Sequence, residues 1–190
     1  MQKVMASVSL SLDGYSAGPN WSVKHPLGEG GERLHAWKFP PQGHDPELME
    51  FTPEGAVIIG KHMYTSGEAP WGENPPFHLP VFVLTHEPRE TLVKEGGTTF
   101  TFVTDGIESA LSQAKAAAGD KDVAVGGGAN AIQQYLKAGL LDELLVHVVP
   151  VIFGSGIRFF EETGSKHIEL ERVKVIVSPS VTHFWFRIPR

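Results

Sequence analysis

Val123 to Leu136 reads VAVGGGANAIQQYL, and this stretch decides the fold. Three apolar residues run into three consecutive glycines, and a helical pattern follows at once. Glycine backbone turns sharply and lets a ligand approach closely. The N–H groups of a helix that begins there point at the turn, together with the positive end of its dipole. Strand, glycine turn and helix in this order form a seat for phosphate or pyrophosphate and suggest a nucleotide cofactor. Gly126-Gly127-Gly128-Ala129-Asn130-Ala131 satisfies G-x-G-x-x-A. That pattern is weak alone and gains value from the elements around it; a tight turn without a ligand is the plain alternative. The usual dinucleotide fold carries an acid about 20 positions on, at the end of the next strand. Here Asp142 and Glu143 come before that strand, so the turn points to phosphate binding in a different arrangement.

The rest of the chain alternates strands and helices around this unit. Met1 to Leu12 reads as a strand with Val4, Ala6, Val8, Leu10 and Leu12 on one face, ended by Asp13-Gly14. Tyr15 to about His44 is a long Gly/Pro-rich segment, of the kind that forms lids or binding loops. Asp45 to Phe51 is expected to be a short helix. Ala56 to Ile59 is a buried strand, with a few helical residues after Gly60. The prolines of Ala69 to Pro80 predict irregular backbone. Val81 to Thr85 and Thr99 to Val103 are strands. Asp105 with Glu108 predicts a capped helix that Gly119 stops. A helix over Asn130 to Ala138 is followed by an apolar strand from Leu144 to Phe153. Glu169 to Val177 and Val181 to Ile188, joined by Ser178-Pro179-Ser180, form an antiparallel hairpin. The sum is a single α/β domain over residues 1–190. It has a mainly parallel central sheet, helices on both faces and an antiparallel C-terminal hairpin.

Composition narrows the function. A chain of 190 residues suits one domain with a sizeable core. The formal net charge of −6 and the lack of a basic tract give nucleic-acid binding no electrostatic support. No apolar run approaches the ~20 residues that span a bilayer. The absence of cysteine removes disulfides, thiolate catalysis and Cys-ligated zinc, and fits a cytoplasmic protein. The nine histidines show no H-x-H, H-x₃-H or HExxH spacing, so no metal site is expected.

A second motif is Val57-Ile58-Ile59-Gly60-Lys61-His62-Met63-Tyr64. A buried strand ends in glycine, and two potentially cationic side chains open a helix. Lys61 and His62 could hold a phosphate at the carboxyl edge of the sheet; a solvated lysine and a capping histidine are the plain reading.

Together the two motifs resemble those of the dihydrofolate reductase superfamily. They look most like the reductase domain of bacterial bifunctional riboflavin-pathway deaminase-reductases and its stand-alone relatives. Ser9-Leu10-Ser11-Leu12-Asp13-Gly14-Tyr15, Ile59 to Tyr64, Val81 to His86, and Val125 to Gly128 carry the likeness. Leu140 to Leu144 and Pro150 to Gly156 complete it. The resemblance implies a three-layer dihydrofolate-reductase-like sandwich that uses NADPH. It places Gly60, Lys61 and His62 along the adenosine 2′-phosphate and Thr85 and His86 beside the adenine. Gly126, Gly127, Gly128, Ala129 and Asn130 would take the pyrophosphate. Ala6 and Asp13 to Ala17 would approach the nicotinamide. Lys61 replaces the family's usual arginine, and Met63 stands where a hydroxyl is common.

For proton delivery the acidic candidates are Asp13 and Glu47, the latter in Glu47-Leu48-Met49-Glu50-Phe51. Asp13 is also a natural strand-ending turn residue, and Glu47 fits an exposed helix equally well. The function implied is hydride transfer from NADPH to a small heterocyclic or ribosylamino substrate, as in reduction of 5-amino-6-(5-phosphoribosylamino)uracil in riboflavin biosynthesis. The alternatives are reduction of an unrelated carbonyl, imine or dihydrofolate-like substrate, and a nucleotide-binding module without catalysis. No zinc-binding His/Cys signature occurs, so no deaminase half is expected. The reductases it resembles are often homodimers, and exposed sheet edges could supply such a contact.

Overall fold

The computed structural model describes residues 2–38, 55–161 and 167–189. The helix expected over Asp45 to Phe51, with Glu47 in it, lies outside the described residues. The elements are β1 (Val4–Ser11), β2 (Tyr15–Ala17), β3 (Ala56–Gly60), α1 (Lys61–Trp71), β4 (Pro80–Leu84), β5 (Leu92–Val93), β6 (Thr99–Val103), α2 (Ile107–Ala118), β7 (Val123–Gly127), α3 (Ala129–Lys137), β8 (Glu143–Val149), β9 (Ile157–Arg158), β10 (Glu171–Ser178) and β11 (Val181–Arg187).

Among the described residues, nine strands form one sheet in the order β10-β11-β8-β1-β7-β3-β4-β6-β5, and β2 pairs with β9 apart from it. From β8 to β6 the neighbours are parallel. β11 and β10 continue one end antiparallel, and β5 closes the other. Parallel strands are buried on both faces, which is why Ala56 to Ile59 and Val123 to Val125 show no alternation. On one face β1 buries Val4, Ala6, Val8 and Leu10 against α2 (Ala110, Leu111, Ala114) and α3 (Ile132, Tyr135, Leu136). Tyr135 is fully buried there, and its hydroxyl donates to the Ile107 carbonyl at 2.7 Å, tying α3 to the start of α2. On the other face Val57, Ile59, Val81, Val83 and Phe100 pack against Tyr64 of α1. Leu34 and Trp37 cover the β8-β11 end, with Val149 and Val181. The three-layer architecture is the one the sequence predicts.

Several local expectations are corrected. α1 is a full helix of eleven residues that takes in Ala69 to Trp71, with Pro70 in its last turn. The cause is Trp71, whose indole folds back onto Gly67 so closely that a Cβ there would lie 2.2 Å from the ring. The same indole meets Phe77 edge-on and stacks with Phe100. Asp105 and Glu108 form no capping box: Gly106 is the N-cap of α2, with φ 101° and no side-chain hydrogen bond. β8 stops at Val149, before Pro150, which has no N–H to extend the ladder. Beyond it the Val151 carbonyl accepts from the Leu12 N–H at 2.8 Å. Leu12 is 65% exposed and leaves the face of its strand.

Candidate active site

The carboxyl ends of β1, β3, β4 and β7 lie along one edge of the sheet, where open α/β sheets bind ligands. Here the two glycine motifs, distant in sequence, abut. A Cβ added to Gly60 would lie 3.6 Å from the Gly128 nitrogen and from Ala131 Cβ, and 3.8 Å from the Gly127 oxygen. Gly60 is the N-cap of α1 and Gly128 the N-cap of α3, neither with a side-chain cap. Two helix N-termini thus share one cradle of glycine backbone, each bringing N–H donors and a positive dipole end. Gly127 has φ 134°, which favours glycine, and the Gly127–Gly128 peptide is cis. A Cβ on Gly128 would meet nothing within 4 Å, so its backbone faces open space. Ala129 and Asn130 follow at the first positions of α3.

The predicted phosphate and adenine residues surround this cradle. Lys61 opens α1, and its Nζ pairs with Glu87 Oε1 at 2.5 Å. The hydrogen bond from Lys61 lowers the pKa of the Glu87 carboxyl. The His62 ring lies against Trp21 from the first long loop, with centroids 5.2 Å apart. Thr85 and His86 lead out of β4, where Thr85 Oγ1 accepts from the Glu87 N–H at 3.0 Å. Sequence reasoning missed Glu87, because its pairing with Lys61 joins the start of α1 to the loop after β4, 26 positions away.

The floor of the site lies in the two central strands. β1 buries its even-numbered residues under α2 and α3, so Ala6, at 1% exposure, has no free side-chain surface for a nicotinamide. The odd-numbered residues face the other way. Ser7 is exposed there, as is its lateral neighbour Gly126. A Cβ on Gly126 would lie 3.0 Å from Val57 Cγ1, on the α1 side of the sheet. Between α1 and Trp37, therefore, the sheet presents an open polar floor at Ser7 and Gly126.

Ser7 has an unexpected backing. Its Oγ lies 2.8 Å from His147 Nε2 in β8. His147 Nδ1 is 2.7 Å from His183 Nδ1 in β11, and His183 Nε2 is 3.3 Å from Ser178 Oγ. Both imidazoles are buried. Burial holds the His147 pKa down to about 3, helped by His183, Lys38 and His35. Trp37 covers both rings at 4.5 and 4.9 Å and donates from Nε1 to Ser9 Oγ at 3.2 Å. The sequence carried two traces of this network: alternating serines at 7, 9 and 11 in β1, and a lone histidine in an apolar strand. Among the described residues no group of three or more His, Asp or Glu is placed to hold a metal ion.

Asp13 sits at the end of β1 and is committed to the backbone. Its carboxylate accepts from Ser11 Oγ at 2.6 Å, from the Phe153 N–H at 3.1 Å and from the Gly154 N–H at 2.7 Å. The Ser11 hydrogen bond, supported by those from the backbone, lowers its pKa to about 2. An anion so held has no proton to give near neutral pH, and its evident work is to fasten the loop after β8 to the end of β1. Glu47 lies outside the described residues.

The RibD C-terminal domain family matches residues 2–184, nearly the whole chain. The protein belongs to that family. Its fold is shared with a Shewanella sp. PV-4 protein described as a riboflavin biosynthesis protein, at a TM-score of 0.75 and 24% identity over 100% of both chains. Dihydrofolate reductase from Enterococcus faecalis, complexed with NADP(H), superposes with a TM-score of 0.60 at 16% identity, over 99% of this chain and 97% of that one. A Thermotoga maritima diaminohydroxyphosphoribosylaminopyrimidine deaminase/5-amino-6-(5-phosphoribosylamino)uracil reductase gives 0.62 at 16% identity, over 99% of this chain but 57% of the longer one. In this RibD C-terminal domain the glycine cradle, Lys61 and the floor at Ser7 lie around one edge and face of the sheet. No helix among the described residues is long and apolar enough to cross a membrane.

Proposed function

We propose that this protein is an NADPH-dependent reductase that delivers a hydride to a small heterocyclic or ribosylamino substrate. The observation that carries the reading is the abutment of Gly60 with Gly127 and Gly128 at two helix N-termini, beside an open sheet floor. A pyrophosphate fits this cradle because Gly60 and Gly128 bring the backbone N-termini of two helices side by side. Gly126, Gly127, Gly128, Ala129 and Asn130 hold the pyrophosphate in this reading. Lys61 and His62 meet the 2′-phosphate, and Thr85 and His86 flank the adenine. The ring end of the cofactor then runs over Ser7 and Gly126. When bound, NADPH supplies the hydride; the chain supplies position, charge and exclusion of water.

Family membership and the NADP(H) complex of the Enterococcus structure support the choice of cofactor. The named activity of the Thermotoga protein puts 5-amino-6-(5-phosphoribosylamino)uracil first among substrates. A cysteine-free chain suits the reducing cytoplasm, where we place it. The test is titration of the purified protein with NADPH and NADH by tryptophan fluorescence, then NADPH oxidation with that uracil compound. NADPH-selective binding with turnover is expected. Binding without turnover on any carbonyl or imine tried would leave a nucleotide-binding module, and no binding of either nucleotide overturns the reading.

A further inference from the structure

The hydrogen-bonded chain behind the cleft floor is continuous from Ser178 to Ser7. Two Nδ1 atoms 2.7 Å apart need one donor and one acceptor, so the two histidines cannot both carry a proton there. With each imidazole neutral, one continuous arrangement points every donor at the cleft. Ser178 Oγ donates to His183 Nε2, His183 Nδ1 to His147 Nδ1, and His147 Nε2 to Ser7 Oγ. The Ser7 hydroxyl proton is then left for whatever lies on the floor, where Ser7 is exposed. At the far end, Ser178 adjoins the exposed Pro179-Ser180 turn, which opens to solvent. Trp37 lies over both rings. Among the described residues, the charged and titratable groups near the pair include His35 and Lys38 from the covering segment and Lys174 from β10.

We propose that Ser178, His183, His147 and Ser7 form a proton wire, and that Ser7 Oγ protonates the substrate atom that becomes electron-rich on hydride transfer. The proposal rests on the reductase reading above. As the carbon of a C=N or C=O bond receives the hydride from the dihydronicotinamide, the π electron pair moves to nitrogen or oxygen. Ser7 gives that atom its hydroxyl proton and takes the Nε2 proton of His147. His147 Nδ1 takes the Nδ1 proton of His183. His183 Nε2 takes the Ser178 hydroxyl proton, which water replaces. The sum is one hydride from the cofactor and one proton from solvent. With the product gone, the same hops run in reverse, fed by water in the open cleft, and restore the starting tautomers. Ser7 is the catalytic residue; His147 and His183 act through it as positioning residues.

Two measurements test the wire. The first is ¹⁵N NMR of the histidine rings in the full chain without cofactor. It is expected to show both imidazoles neutral, with the proton of His147 on Nε2 and that of His183 on Nδ1. A doubly protonated His147 at pH 7, or a disordered mixture of tautomers, overturns the wire. The second is NADPH oxidation with 5-amino-6-(5-phosphoribosylamino)uracil. S7A is expected to lose about 100-fold in kcat, the scale of general acid catalysis. H147A should fall similarly and be partly restored by added imidazole, a rescue that a purely structural role does not give. S7A turning over at the wild-type rate sinks the wire and leaves the reductase standing. Wild-type protein that binds no NADPH sinks both.

Discussion

The stability of the protein between pH 7 and pH 5 reads how far folding shields His35 and His147 from protons. An unfolded histidine has a pKa near 6.5, whereas His147 is held at about 3 and His35 at about 4, in both cases chiefly by burial. The unfolded chain therefore binds protons that the native chain refuses, and stability falls as the pH drops below 6.5. At pH 5 the unfolded form gains RT ln(1 + 10^1.5) per histidine, about 2 kcal/mol, and the native form gains almost nothing. Together His35 and His147 remove about 4 kcal/mol between pH 7 and pH 5, a large share of the 5–15 kcal/mol that holds a domain folded. The carboxylates of Asp13, Glu68 and Glu87 are all held below their ordinary values, 3.8 for aspartate and 4.5 for glutamate, so their loss comes mainly below this window. Urea unfolding at pH 7 and pH 5, on wild type and H147Q, checks the figure. H147Q should show about half of the wild-type drop. The same drop in both proteins would refute the assignment of His147 as a buried neutral base and remove the electrostatic ground for a neutral wire.

The other predictions concern the cofactor edge and α1. Gly60 has φ −81° and ψ 157°, open to alanine, and the new methyl group makes only ordinary contacts. G60A should unfold within about 0.5 kcal/mol of wild type yet bind NADPH at least about tenfold more weakly, roughly 1.4 kcal/mol; calorimetric titration with unchanged affinity would remove the pyrophosphate from this cradle. Removing Lys61 in K61A should erase the preference for NADPH over NADH. E87Q should increase that preference severalfold by taking away the carboxylate that competes with a 2′-phosphate for Lys61. Equal NADPH/NADH ratios in all three proteins would dissociate Lys61 from the phosphate. G67A forces Trp71 off the α1 backbone, where the added methyl would lie 2.2 Å from the indole. About 1–3 kcal/mol of destabilisation and an altered near-UV circular dichroism are expected, and a variant as stable as wild type would show that Trp71 does not pin the helix.

The alternation of strands and helices, the glycine turn and the C-terminal hairpin were legible in the sequence because each is written in a contiguous run. Val123 to Leu136 carries strand, turn and helix together, and the hairpin after Glu169 needs only its short link to be recognised. The parts that were not legible depend on contacts between distant runs. The end of α1 is set by Trp71 lying on Gly67 and against Phe77 and Phe100. The propensity of Ala69-Pro70 argues the other way, and packing overrides it. The side-chain direction along β1 was half legible. Five apolar residues at even positions marked a buried face, but burial alone does not say which face takes the ligand. Here α2 and α3 claim the even face, and of the odd-numbered serines of β1 only Ser7 is left exposed on the other.

The histidine chain was the least accessible, for a reason that lies in sheet geometry. His147 and His183 are 36 positions apart, and nothing in their local spacing suggests a pair. They meet because β11 runs antiparallel to β8 in a register that sets His183 opposite His147, and β8 runs parallel to β1 two residues out of step with the Ser7–His147 bond. In that register Ser9, not Ser7, stands directly opposite His147, so the bond to Ser7 is diagonal along the floor. Slipping β11 by one residue would send His183 to the α2–α3 face and break the chain. The register is fixed in turn by the hairpin, where Ser178 pairs with Val181, and by Phe184 and Phe186, which must stay on the face of the main core. The packing that keeps those two phenylalanines against the main core therefore also keeps His183 on His147, and it couples the integrity of the wire to hydrophobic burial on the opposite side of the sheet.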